Sequence, residues 1–257
     1  MRLAKFISSY SVTTRAGKLF RAPFRLIPSG TVLPVVSGLN KGLAWIVRSS
    51  VKGCWLGVYE AEKQAVIHRL VRLGMTVFDV GANAGFFTLA FSRLVGPNGR
   101  VWAFEPLAGK VDALLKHVHM NALLNVHVVQ SALADRSGVV GFDVCDDGSM
   151  GSIGSGGSRY HVPILSIDEL VDAGIVPIPA LIKMDVEGAE FSVLKGAEKL
   201  VKRDRPVLVI ACHSEAQRRR CLEFLRSNEY RVYYLNGLEH KDGELIDDEI
   251  YALPEAG

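Results

Sequence analysis

The stretch Thr76-Val77-Phe78-Asp79-Val80-Gly81-Ala82-Asn83-Ala84-Gly85-Phe86 decides how this chain is read. A β-branched and apolar run, 76–80, gives way to a loop of small residues and then to a helical segment, 86–94. Small residues let the backbone turn tightly and present N–H groups to a ligand at a helix N-terminus. Asn83 stands where a dinucleotide fingerprint has its second glycine, and Asn tolerates a left-handed backbone. Position 86 is Phe, so the third glycine needed for close approach of a pyrophosphate is missing, which argues against NAD.

Strand and helix alternate on both sides of this loop. Residues 60–73 have helical apolar spacing closed by Gly74, and 100–104 reads as a strand. A helix over 107–121 and a strand over 126–130 follow. Strands over 139–144 and 161–165 flank a Gly/Ser-rich loop, 148–157, too flexible in composition to be core. Ser166-Ile167-Asp168-Glu169 is a capping box that starts a helix. Then come a strand at 181–184, a helix at 190–200, a buried strand at 207–212, a helix at 216–228 and a last strand at 231–235. Repeated β-α-β units predict an α/β fold with a mostly parallel sheet covered by helices on both faces and ligands at the C-terminal strand ends.

Glu105 ends the strand after the glycine loop, 20 residues beyond Gly85, the position from which a carboxylate takes ribose hydroxyls. Pro106 stops that strand. The segments Phe78–Gly85, Ala103-Phe104-Glu105-Pro106, Ser131-Ala132-Leu133-Ala134-Asp135 and Ile182-Lys183-Met184-Asp185-Val186-Glu187-Gly188-Ala189-Glu190 together resemble the successive motifs of FkbM-type S-adenosylmethionine-dependent methyltransferases. The resemblance runs from about Trp55 to Tyr234, in order and in spacing. It implies a Rossmann-like class I methyltransferase fold with a seven-stranded sheet, one strand antiparallel, and S-adenosylmethionine as cofactor. Asp79 and the loop Gly81, Asn83, Gly85 would then hold the methionine and ribose part, and Glu105 the ribose diol. Phe104 and Pro106 would flank the adenine, with Ser131 and Ala132 bordering it. Several carboxylates and no lysine cluster suit a sulfonium better than a pyrophosphate.

The same resemblance puts Asp185, Glu187 and Glu190 near the transferred methyl group. Two acids in a strand-to-loop turn at the ligand edge have no structural duty, which marks Asp185 and Glu187 as catalytic candidates. Glu190 reads either as a substrate contact or as an acid favoured by a helix N-terminus, and Lys183 as a partner for one of these acids or an ordinary strand-end lysine. His213, just past the buried strand, is a candidate base, since imidazole titrates near neutrality; a structural hydrogen bond is the alternative. A divalent cation bound by Asp185 with Glu187 that acidifies the acceptor is the alternative, but the sequence identifies no third ligand, so no metal is assigned.

The chain has 257 residues, 49% apolar and 22% charged, which excludes disordered, collagen-like and disulfide-scaffold classes. Its net charge of +3 hides an uneven distribution. Residues 1–59 carry nine basic and no acidic residues, 60–236 are balanced at 20 of each, and 237–257 hold one basic and seven acidic. This divides the chain into a basic arm and irregular or β-rich lead-in, 1–58, and a methyltransferase domain, 59–257, with an acidic, solvated tail. Leu3, Phe6, Ile7 and Tyr10 give the arm a basic amphipathic helix, read as packing on its own domain, touching a membrane surface weakly, or serving as a presequence. Four cysteines without a CxxC pair point to a reducing, cytoplasmic setting, peripheral to a membrane if the arm binds one. Arg218-Arg219-Arg220 reads as a solvated helix face, and no aromatic-interleaved basic groove favours nucleic acid. The expected activity is O-methylation of a sugar, glycan or small-metabolite hydroxyl. The alternatives are a non-catalytic cofactor-binding protein that docks on a membrane or partner and, disfavoured by Phe86, a nucleotide-cofactor oxidoreductase.

Overall fold

A computed structural model describes residues 27–144, 151–153, 160–241 and 248–255, so the amphipathic helix expected near the N-terminus lies outside the described residues. The lead-in forms a hairpin, β1 (Val32–Pro34) with β2 (Ala44–Ile46), and a short helix α1 (Lys52–Leu56). Helix α2 (Ala61–Leu70) ends three residues before the periodicity does, because Val71 turns extended and Gly74, at φ 81°, redirects the chain into β3 (Thr76–Val80). Next come α3 (Phe86–Val95), β4 (Arg100–Phe104), α4 (Ala108–Met120) and β5 (Val126–Val129), each within a residue of its expected span.

Strands β6 (Ala132–Leu133), β7 (Gly138–Val144), β8 (Gly151–Ile153) and β9 (Tyr160–Leu165) build a small sheet in the order β6-β9-β7-β8. The Gly/Ser-rich loop thus contains a strand: Gly151–Ile153 pairs antiparallel with β7, backbone bonding that composition does not announce. Helix α5 (Ile167–Asp172) starts at Ser166, whose Oγ accepts from the Glu169 N–H. The other half of the capping box is indirect: the Ser166 N–H donates to Ser137 Oγ at 3.2 Å, and Ser137 in turn donates to the Glu169 carboxylate.

After β10 (Leu181–Met184) the single helix expected over 190–200 is two, α6 (Glu190–Lys195) and α7 (Glu198–Arg203). Gly196 carries the break, its carbonyl accepting from the Asp168 N–H at 2.7 Å and Ser166 Oγ at 2.9 Å. A side chain there would meet the Ala134 carbonyl oxygen at 1.9 Å. The chain finishes with β11 (Val207–Ala211), α8 (Glu215–Ser227), β12 (Tyr230–Tyr234) and β13 (Glu249–Pro254).

The acidic tail is therefore not simply solvated, and β12 is not the last strand. Strand β13 sits inside the seven-stranded sheet β12-β13-β11-β10-β3-β4-β5, antiparallel to both neighbours, while the other strands run parallel. Its run Ile250-Tyr251-Ala252 is buried, but it is so short and so closely flanked by acids that charge counting concealed it. Side chains alternate across the sheet. Phe78, Ile182, Leu208 and Ile250 pack on the α5–α8 side, and Val77, Leu181, Val209 and Tyr251 on the side covered by α2, α3 and the lead-in. A parallel sheet covered on both faces leaves its C-terminal strand ends as the open edge, and burying each such apolar side chain stabilises the fold by roughly 1.5–3 kcal/mol.

Candidate active site

A cavity of about 440 Å³ opens at the C-terminal ends of β3, β4 and β10. Volumes of this order take a nucleoside-sized ligand. One flank is the glycine loop. Gly81, at φ 74°, lets β3 pass close to β10: a Cβ there would lie 1.9 Å from the Asp185 carbonyl oxygen. Asn83 holds the left-handed conformation its residue type suggested, φ 49°, and its Oδ1 accepts from the Ala84 N–H at 2.8 Å. The Asn83 N–H reaches across to Glu105 Oε2 at 2.8 Å, while the Leu107 N–H donates to Glu105 Oε1 at 3.0 Å. Burial pushes the Glu105 carboxyl up, against the opposing pull of these N–H groups.

This flank has a specific backing. His117 on α4 is fully buried, stacks on Trp45 with ring centroids 3.9 Å apart, and bonds the Ala84 carbonyl through Nδ1 at 2.7 Å. Its Nε2 accepts from the Ile46 N–H at 2.9 Å, which fixes a neutral ring with the proton on Nδ1. Burial accordingly drives its pKa down to about 4.

Gly81, Asn83, Phe104, Glu105, Pro106, Ser131 and Ala132 all line the cavity. Asp79 and Gly85 stand behind it. Asp79 is fully buried, accepts from Thr88 Oγ1 at 2.6 Å and pairs with Lys183 Nζ at 3.1 Å. Lys183 therefore serves Asp79 and the Gly81 carbonyl, at 3.0 Å, in place of Asp185 or Glu187 as its ion-pair partner.

The opposite flank is built from side chains. Asp185 and Glu187 line the cavity from the loop after β10, with Glu187 at φ 52° and Gly188 at φ 99° shaping the turn. His213, just after β11, brings Nε2 to 3.3 Å from Asp185 Oδ1 and 3.5 Å from Glu187 Oε2, and Nδ1 to 2.7 Å from Glu190 Oε1. Glu190 is fully buried and also accepts from the Gly188 N–H at 2.9 Å. It stands at the first position of α6, as the helix-terminus reading expected, and it is also the carboxylate that seats His213. Bonding to Asp185 and Glu190, against the effect of burial, pushes the imidazole up to about 10. Burial works to raise the Asp185 carboxyl, yet His213, Lys183 and Lys63 hold it well below the usual carboxylate range.

Sequence reading missed two further residues. Lys63 on α2 is 1% exposed and lies between Glu60, Asp185 Oδ2 at 3.4 Å and Glu249 Oε1 at 2.6 Å, tying three distant segments together. Gln217 on α8 staples the acidic loop, donating to the Gly188 carbonyl at 2.5 Å and accepting from the Phe191 N–H at 3.1 Å. Lys63 had no local signal; Gln217 had one weak sign, its place three residues after the cap Ser214. The arginine run is only partly a solvated face: Arg218 pairs with Asp248, and Arg220 stacks on Phe191 at 4.0 Å.

The donor set fits S-adenosylmethionine. Glu105 uses one lone pair on each oxygen for backbone N–H groups and keeps acceptor capacity for a diol. Ser131 Oγ is buried at the wall without a partner, which a heteroatom-rich ligand would provide. Asp185 and Glu187 border the space a sulfonium would face. Bound there, the cofactor supplies an electrophilic methyl group.

Among the described residues no helix is long and apolar enough to cross a membrane. A curated relative, the hexuronic acid methyltransferase AglP of Haloferax volcanii, is 31% identical over 135 residues, covering 52% of this chain and 54% of that protein. The catalytic subunit of tRNA (adenine(58)-N(1))-methyltransferase from Cryptococcus neoformans is 34% identical over 76 residues, 28% of this chain and 18% of its own. The crystal structure of an FkbM methyltransferase from Methylobacillus flagellatus matches the fold with a TM-score of 0.50 at 19% identity, over 81% of this chain and 56% of that one. This chain thus spans about half the length of AglP and less of the tRNA enzyme. The model of the methyltransferase FkbM domain matches residues 79–232, more than half of the chain, from Asp79 through the glycine loop, Glu105, Asp185 and His213 to β12. The chain belongs to the FkbM methyltransferase family, whose methyl donor is S-adenosylmethionine.

Proposed function

We propose that this protein transfers the methyl group of S-adenosylmethionine to a hydroxyl oxygen of a sugar, glycan or similar polyol. The observation that carries this reading is the seating of His213 among Asp185, Glu187 and Glu190 at the cavity's acceptor side. Carboxylates accept hydrogen bonds from hydroxyl groups, and a hydroxyl must lose its proton as it is methylated. The carboxylates of the cluster supply the acceptors for such a hydroxyl and its proton, and the imidazole, held protonated between them, keeps them in place. An acceptor that is itself an anion, such as a carboxylate or phosphate, would face Asp185 and Glu187 unfavourably and would need no proton removed. The sugar-acid activity in AglP's name supports a carbohydrate acceptor.

Alignment does the remaining work. Methyl transfer needs the acceptor oxygen about 3 Å from the methyl carbon and in line with the bond that breaks, a geometry set by the rigid ends of β3 and β10. The test is formation of demethylated cofactor across neutral sugars, glycans, uronic acids and oligonucleotides, with the methylated atom located by mass spectrometry. Turnover on hydroxyl-bearing acceptors, with the methyl group on oxygen, is expected. Turnover confined to carboxylates, amines or nucleic acid would overturn the reading, as would cofactor binding without turnover on any acceptor.

A further inference from the structure

At the edge of the cavity opposite the glycine loop, the described residues hold one group of carboxylate and imidazole donors at single-ion spacing, Asp185, Glu187 and His213, whose ligand atoms all lie within 4.8 Å of one another. We propose that these three residues form a binding site for one divalent cation of the Mg²⁺ or Mn²⁺ class, placed where the acceptor hydroxyl must sit. The proposal deepens the hydroxyl-methylation reading and rests on it for its chemical purpose.

The spacing comes first. His213 Nε2 is 3.3 Å from Asp185 Oδ1 and 3.5 Å from Glu187 Oε2. Two ligands each about 2.1 Å from one ion and at right angles to one another are separated by roughly 3 Å, so small rotations bring these atoms to a common centre. The imidazole has the support that ligating histidines have, its second nitrogen bonded to a carboxylate, here Glu190 at 2.7 Å. That carboxylate is in turn held by the Gly188 N–H.

Unmatched charge is the second, independent observation. Lys63 is shared among Glu60, Asp185 and Glu249, and Lys183 is paired with Asp79. Among the described residues, Glu187 and Glu190 have ion-pair contacts only to His213. Glu190 is fully buried and its Oε2 has no hydrogen-bond partner. A buried carboxylate with one unmet oxygen is costly, and additional positive charge beside it offsets that cost. Two carboxylates and one imidazole select a hard to borderline divalent ion over a thiolate-seeking one.

Three protein ligands leave coordination positions open toward the cavity, enough for two neighbouring hydroxyls of a sugar. A hydroxyl that joins a divalent cation loses its proton more readily. The oxygen then forms its bond to the methyl carbon as the carbon–sulfur bond breaks, the bonding pair staying on sulfur and the proton passing to solvent. The products are the methyl ether, the demethylated cofactor and one proton. The cation is neither oxidised nor reduced.

The test is titration of the full chain with MnCl₂, followed by calorimetry and by loss of the free-ion electron paramagnetic resonance signal, for wild type, Glu187→Gln, His213→Gln and the surface control Glu223→Gln. Wild type and the control should bind one Mn²⁺ per chain, and each of the two site variants should bind it at least about tenfold more weakly, with cofactor affinity preserved as the sign of a folded chain. Failure of wild type to bind Mn²⁺ or Mg²⁺ at millimolar concentration, or equal affinity in all four proteins, overturns the site. Acceptor methylation at full rate in a chelator also overturns it, while leaving the hydroxyl reading intact. Mn²⁺ bound through Glu187 and His213, with no methylation of any hydroxyl acceptor, supports the site and removes the hydroxyl reading.

Discussion

The two flanks of the cavity are made in different ways. The cofactor flank, Gly81 to Gly85 with Glu105, is a continuous turn and one strand end, and it meets its partners chiefly through backbone N–H groups. The acceptor flank joins Lys63, Asp185, Glu187, Glu190 and His213, which come from three separate segments and interact through charged side chains. The difference teaches that cofactor recognition here is a property of a local backbone shape. The acceptor chemistry proposed for the other flank would be a property of tertiary assembly, sensitive to any element that moves one charge.

The strongest challenge to this contrast is His213→Ala. It should lower kcat by about 100-fold, the cost typical of displacing the groups that position an acceptor, while cofactor affinity measured by calorimetry stays within about twofold. Loss of both together would show that the flanks are not separable. Next is Lys63→Met, which strands Asp185, Glu60 and Glu249 around a missing buried cation. A loss of about 3–5 kcal/mol in urea unfolding is expected, and a loss under 1 kcal/mol would mean that water takes the place of the lysine.

Glu105→Gln probes the other flank. Weakening the charge-assisted bonds should reduce S-adenosylmethionine affinity by about 10- to 100-fold with kcat at saturating cofactor nearly unchanged. A fall in kcat instead would place Glu105 in the chemistry. The smallest effect concerns pH. The folded-state pKa of His117, about 4, lies below the ordinary 6.5, so its contribution to stability is complete above pH 6.5 and declines as pH falls toward 4. At pH 5.5 the loss is about 1.2 kcal/mol relative to pH 7, and His117→Gln should unfold with a correspondingly flatter pH dependence over that interval. An unchanged slope in the variant would assign the acid sensitivity to the carboxylate flank.

The contrast also explains which parts were legible in the sequence. Strands β3, β4 and β10 were read at their observed ends, and Asn83 was recognised as a left-handed position, because turn chemistry and β-branched runs are local. Asp185, Glu187 and His213 could be proposed one by one, but their contact depends on the crossover from β10 to its parallel neighbour β11, whose geometry spacing does not reveal. Glu190 is the helix-terminus acid that its neighbours suggested, but its bond to His213, 23 positions away, was outside the local window. Lys63 carries no mark that separates it from other helix lysines, yet its amine is buried against the ends of β10 and β13. The break at Gly196 follows from contacts with Ala134, Ser166 and Asp168, again outside the local window.

The position of β13 has a temporal consequence. During synthesis β12 emerges before β13, yet β13 lies between β12 and the rest of the sheet. The nascent chain must hold β11 with an unfilled side and β12 without its neighbour until residues 249–254 arrive. An exposed strand edge of that kind is a site for mispairing with other chains. Arrival of β13 also delivers Glu249 to Lys63, so closure of the sheet and completion of the ion cluster beside Asp185 happen in the same late event.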